Sequence, residues 1–107
     1  MAYNELKNKL AFVVYGTDEW RLSIKDEDGR WIVSYDAHGQ DVVHARRAVN
    51  NIISIIRCNM TLCIIHGYNN GTAIKEMLRK SNFGNRLSEI KSPVYNPGIT
   101  WMQVAAA

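Results

Sequence analysis

Two short stretches hold the residue types that could do chemistry: Asp36-Ala37-His38-Gly39 and His66-Gly67-Tyr68-Asn69-Asn70-Gly71. Asp36 and His38 are two positions apart, so in an extended strand their side chains share a face. A carboxylate beside an imidazole fixes its tautomer and raises its basicity. His66 would supply the complementary acid. Each His-Gly pair leads into a helix start, where unpaired backbone N–H groups and a partial positive charge suit a phosphate. Gly39 follows the first histidine, and Gly67 and Gly71 would let the backbone come close to that phosphate. Two histidines and an aspartate around a phosphate pocket make metal-free equipment for phosphodiester cleavage by acid–base catalysis. Taken alone, a His-Gly pair after a strand is often only a turn. The pairing at matching places is what favours a site.

The elements that must position these residues are readable. Trp20 to Lys25 alternates apolar and polar residues, Asp26-Glu27-Asp28-Gly29 has turn chemistry, and Trp31 to Tyr35 is extended again, which predicts a hairpin. Ala45, Ala48, Val49, Ile52, Ile53 and Ile56 fall on one face of a helix capped by Asp41. Thr61 to Ile65 is a short apolar run, as expected of a covered strand. Strand, helix and strand of these lengths predict a parallel βαβ unit. A second helix, roughly Thr72 to Lys80, buries Ile74, Met77 and Leu78. Two further strands, Ile90–Tyr95 and Ile99–Val104, are joined by Asn96-Pro97-Gly98, whose proline and glycine suit a tight turn. Asn4 to Leu10 reads as a short helix, with Phe12 to Tyr15 either extending it or forming a strand. The expected fold is an α/β two-layer sandwich of order βαβαββ over a mostly parallel, mixed four-stranded sheet. Residues 1–30 form an N-terminal helix and hairpin addition, and residues 31–107 the domain proper.

At 107 residues the chain is one small domain. Its formal charge of +3 is unevenly spread. Residues 1–37 hold five Lys and Arg against seven acids, and residues 38–107 hold eight against three. The basic part contains both His-Gly loops, which points towards a polyanion. Arg46, Arg47, Lys75, Arg79 and Lys80 would line the path of a nucleic-acid backbone, or else form a solvated charged face. Cys58 and Cys63 fit neither a metal-ligand spacing nor a secreted disulfide framework and read as buried free thiols in a reducing cytosol. No stretch is long and apolar enough to span a bilayer, and no targeting segment is recognisable, so a cytoplasmic monomer is expected. Trp20, Trp31 and Trp101 are most simply packing residues, and His44 a solvated one. Tyr68, an aromatic on a loop, could stack on a base.

From about Ile32 to Val104 the chain resembles the Smr (small MutS-related) domain family. Asp36-Ala37-His38-Gly39 matches that family's aspartate-x-histidine-glycine motif at the end of its first strand. His66-Gly67 through Gly71 matches its glycine-rich histidine-glycine loop, and Gly98 and Thr100 match a glycine and threonine in its terminal hairpin. The resemblance implies a two-layer α/β sandwich like the C-terminal domain of a translation initiation factor. It also implies nicking or endonuclease activity on DNA or RNA, with Asp36, His38 and His66 as catalytic residues and no cofactor. Three positions depart from the pattern: Asn69 replaces the middle glycine, Tyr68 stands where a lysine is common, and Ala37 replaces a leucine. The loss of that lysine weakens phosphate affinity. Two alternatives therefore stand beside the nuclease: a DNA- or RNA-binding module without catalysis, and a protein-interaction domain.

Overall fold

The computed structural model describes residues 3–10, 19–67, 72–93 and 95–107. An N-terminal helix α1 (Tyr3–Leu10) is followed by a single 3-10 turn (Glu19–Arg21) and strands β1 (Leu22–Glu27) and β2 (Arg30–Asp36). Then come α2 (Val42–Ile55), β3 (Met60–Ile65), α3 (Thr72–Lys80), β4 (Leu87–Lys91) and β5 (Ile99–Val104). The expectation for Phe12 to Tyr15 falls outside the described residues.

Among the described residues the chain is an α/β fold with three helices and one mixed sheet of five strands in the order β1-β2-β3-β5-β4. The sheet differs from expectation in two ways. It has five strands, not four, because the hairpin's first arm is an edge strand of the same sheet, paired with β2 along its whole length. It also has only one parallel pair, β2 with β3. β4 runs in the same direction as those two, but β5 is inserted between β3 and β4 and is antiparallel to both. A terminal hairpin whose second arm docks inside its first explains this result.

Local chemistry accounts for the elements. Asp28 and Gly29 have φ values of 53° and 79° and close the β1–β2 hairpin as a two-residue turn, as the primed turns require. Asp41 caps α2 in an extended conformation, its side chain accepting from the His44 amide. The predicted apolar stripe is buried: Ala45, Ala48, Val49, Ile52 and Ile53 on α2, and Ile74, Met77 and Leu78 on α3. β4 ends at Lys91 and not near Tyr95. Pro93 has no N–H to give a ladder and stops the strand short.

Burial alternates along β2 and β5, while nearly all of β3 is covered. Trp31, Val33, Tyr35, Met60, Leu62, Ile64, Met102 and Val104 face the helices and join Leu10 of α1 in one core. On the opposite face the Arg30 guanidinium donates to Thr61 Oγ1 and Gln103 Oε1, tying β2 to β3 and β5. Both cysteines are free, but only Cys63 is buried; Cys58 is half-buried. Burial pushes the Cys63 thiol up to about 11, so it stays protonated and inert.

The C-terminal end of α2 depends on one side chain from another element. Arg86 donates to the carbonyls of Ile53 (2.5 Å), Ile56 (2.5 Å) and Ala105 (2.7 Å). These carbonyls include ones a helix end leaves without intrahelical partners. The Arg86→Ala substitution is expected to lower stability by about 1–3 kcal/mol, because it orphans several acceptors together. A urea melt would show this as a lower midpoint at unchanged slope. An unchanged midpoint would mean that water satisfies the carbonyls equally well.

Candidate functional site

The first His-Gly loop is built around Asp36. At the end of β2 its carboxylate oxygen Oδ1 accepts from the backbone N–H of His38 at 3.1 Å. The same oxygen lies 2.5 Å from His38 Nδ1. An ionised carboxylate only accepts, so Nδ1 carries the proton and Nε2 is the nitrogen left to act. The chain then reverses: the Gln40 N–H donates to the Ala37 carbonyl, and Gly39 takes a φ of 80°. That left-handed position favours glycine. Tyr35 Oη donates to Gln40 Oε1 at 2.8 Å and fixes the loop's far end. The His38 side chain is 59 % exposed, whereas that of Asp36 is only 23 % exposed. The result is a pre-oriented dyad whose reactive nitrogen meets solvent at the carboxyl edge of the parallel strand pair.

The second His-Gly loop lies beside the first, but its histidine is held differently. The Ala37 N–H donates to the Ile65 carbonyl at 2.7 Å, continuing the β2–β3 ladder past Asp36. Gly67 has a φ of 71°, and a Cβ placed there would sit 3.7 Å from the His38 Cβ. His66 itself is buried, with 4 % exposure. Its Nδ1 donates to the Gly67 carbonyl at 2.9 Å, and its Nε2 lies 2.9 Å from the hydroxyl of fully buried Thr100. The N–H groups of His66 and Gly67 both donate to the Gly98 carbonyl. His66 therefore rivets the β3 loop to the β5 hairpin, and both of its ring nitrogens are engaged. Thr100 and Gly98 become parts of the site's frame.

Asp36, His38, Gly39 and Gly67 thus come together, and His66 stands behind them. Tyr68, Asn69 and Gly71 fall outside the described residues. Arg46 and Arg47 are exposed on the early turns of α2. Lys75 and Arg79 lie four apart on α3, with Arg79 reaching Ser92 Oγ at 3.4 Å. The start of α2 does not offer a free phosphate cradle, because the Asp41 carboxylate holds both the backbone N–H and the ring of His44. Those hydrogen bonds, the backbone one first, hold Asp41 below the usual carboxylate range. Its stabilisation of the helix start is therefore present above the ordinary carboxylate pKa and lost as the pH falls through the lowered value.

Two residues outside the predicted site complete it. The Arg21 guanidinium donates to the carbonyls of Asp36 (3.0 Å) and His38 (2.9 Å). Trp20, expected as packing, is 58 % exposed, and its ring centroid lies 5.8 Å from that of His38. Trp31 does pack in the core, and Trp101 is half-buried on the outer sheet face. Further along that face an open cleft of about 470 Å³, lined by Thr61, Lys91, Pro93, Tyr95, Trp101 and Gln103, contains none of the dyad. Among the described residues no cluster of three His, Cys, Asp or Glu could hold a metal ion, and no helix is long and apolar enough to cross a membrane. Comparison with protein-family models, curated proteins and solved structures finds no match to this chain.

Proposed function

We propose that this chain is a nucleic-acid nuclease of the Smr type, cleaving DNA or RNA phosphodiesters with the Asp36–His38 dyad as general base. The observation that carries the proposal is the 2.5 Å approach of the Asp36 carboxylate to His38 Nδ1, with an exposed ring beyond it. In this reading Asp36 holds the tautomer and stabilises the imidazolium that forms. His38 Nε2 takes the proton of the attacking water as its oxygen bonds to phosphorus, the phosphorus–oxygen bond to the leaving group breaks, and the departing oxygen takes a proton from solvent. His66 acts as a positioning residue that clamps the second loop against β5. Arg46, Arg47, Lys75 and Arg79 attract the backbone of the substrate. The order β2-α2-β3-α3-β4-β5, with core side chains of the sheet turned towards the helices, adds support.

Incubating the purified chain with supercoiled plasmid, single-stranded DNA and single-stranded RNA, with and without EDTA, tests the reading. Product that forms in EDTA is the expected result. Binding to all three without product at any enzyme concentration would replace it with the second reading, a binding module without catalysis. That second reading is favoured by one feature, the Asp41 carboxylate seated where a phosphate would have met α2.

A further inference from the structure

A tryptophan with more than half its surface in water, standing beside a histidine, asks for an occupant. Trp20 is 58 % exposed although burial of so large an aromatic is strongly favoured. Its position is nevertheless held firmly. The Arg21 guanidinium carbon sits 4.4 Å from the centroid of the Trp20 ring, a cation–π contact, and the same guanidinium is anchored on the carbonyls of Asp36 and His38. One face of the indole is therefore backed by a fixed cation. The imidazole of His38 is tilted by 56° to the indole, so the two rings are not stacked. An indole backed by that cation, with more than half its surface exposed, stands 5.8 Å from the imidazole of the dyad.

From this arrangement we infer that Trp20 is a stacking platform for one nucleobase next to the phosphodiester that reaches His38. The inference rests on the proposed nuclease reading and extends it to a substrate class. A base in a duplex has both faces stacked on its neighbours, so a platform at the reacting phosphate selects single-stranded or unpaired segments. Stacking is indifferent to base identity, since every base has a π-face. Trp20 then acts as a specificity residue for strandedness, and Arg21 as the residue that positions it.

The test measures binding of the full chain to a short fluorescent single-stranded oligomer and to versions with a single abasic site moved along it. Wild type, Trp20→Phe and Trp20→Leu are compared, with thermal melts to verify folding. Trp20→Leu is expected to weaken binding roughly 5- to 100-fold, as for loss of one stacked base. Trp20→Phe, which keeps an aromatic face, stays within a few-fold of wild type. One abasic position should weaken wild type but cause no further loss in Trp20→Leu. The inference is overturned if wild type binds no single-stranded oligomer, if Trp20→Leu binds as wild type does, or if it loses equally at every abasic position. Cleavage is read separately. The expected binding pattern without product leaves the platform standing and removes the nuclease reading, whereas product formation indifferent to Trp20→Leu in rate and strand preference removes the platform alone.

Discussion

His38→Ala is expected to lower the cleavage rate by about 10²- to 10⁴-fold, the range a positioned general base contributes, while leaving the melting temperature close to that of wild type. The two halves of this expectation have different physical origins. The His38 side chain is 59 % exposed and its ring is held by one neighbouring carboxylate, so its removal opens no cavity and orphans no buried group. The rate falls because the other exposed imidazole, that of His44, is held by Asp41 and not by Asp36. Asp36→Asn should give a smaller loss: an amide can present its NH₂ to Nδ1 and favour the wrong tautomer, but it leaves a ring in place. A single-turnover assay on the best substrate, with a melt run on the same preparation, checks both halves. A large drop in melting temperature for His38→Ala would show that the first histidine, too, is structural.

The second large effect is opposite in kind. His66→Ala is expected to cost about 2–4 kcal/mol of stability, because a buried ring is lost and its partners are left behind. The Thr100 hydroxyl, fully buried, loses the Nε2 partner at 2.9 Å, and the Gly67 carbonyl loses Nδ1. For a domain of this size that corresponds to a melting temperature lower by roughly 10–30 °C. Thr100→Val removes only the hydroxyl and should cost about 1–2 kcal/mol. It also loosens the second loop without touching His38, so it separates positioning from proton transfer at His38. If Thr100→Val cuts the cleavage rate while the shape of the pH–rate profile is unchanged, His66 acts through its position. A His66→Ala chain that melts like wild type would contradict the rivet between β3 and β5.

Much of the scaffold was legible in the sequence because local periodicity and capping decide it. The stripe from Ala45 to Ile56, the Asp41 cap, the Asp28-Gly29 turn and the apolar run of β3 each follow from a spacing or a residue type. Strand order is different. Nothing in Ile99–Val104 itself says that it slots between β3 and β4, so a four-stranded, mostly parallel sheet was the natural expectation. Register was the deeper obstacle. Two matching His-Gly pairs invite the picture of two histidines side by side, but Asp36 is opposite Ile65. Ala37 therefore lies across from His66, and His38 across from Gly67. An offset of one residue sends successive side chains to opposite faces. One imidazole goes to solvent and the other to Thr100.

The place of Arg21 beside Asp36 follows from the hairpin register. Counting back from the Asp28-Gly29 turn, Glu27 pairs with Arg30 and Leu22 with Tyr35, so the next step of the hairpin sets Arg21 beside Asp36. That arithmetic was available once the hairpin was recognised. Tryptophan is most often a packing residue, which holds for Trp31 and fails for Trp20.

In the proposed nuclease reading His38, oriented by Asp36, moves the proton during phosphodiester cleavage. Chemical rescue tests it most directly: the cleavage rate of His38→Ala is followed as free imidazole is added, with His66→Ala as the comparison. Imidazole is expected to restore a concentration-dependent part of the rate to His38→Ala, since the His38 side chain is exposed, and to restore nothing to His66→Ala. A His38→Ala chain that cleaves as fast as wild type without imidazole, or a rescue confined to His66→Ala, would contradict it.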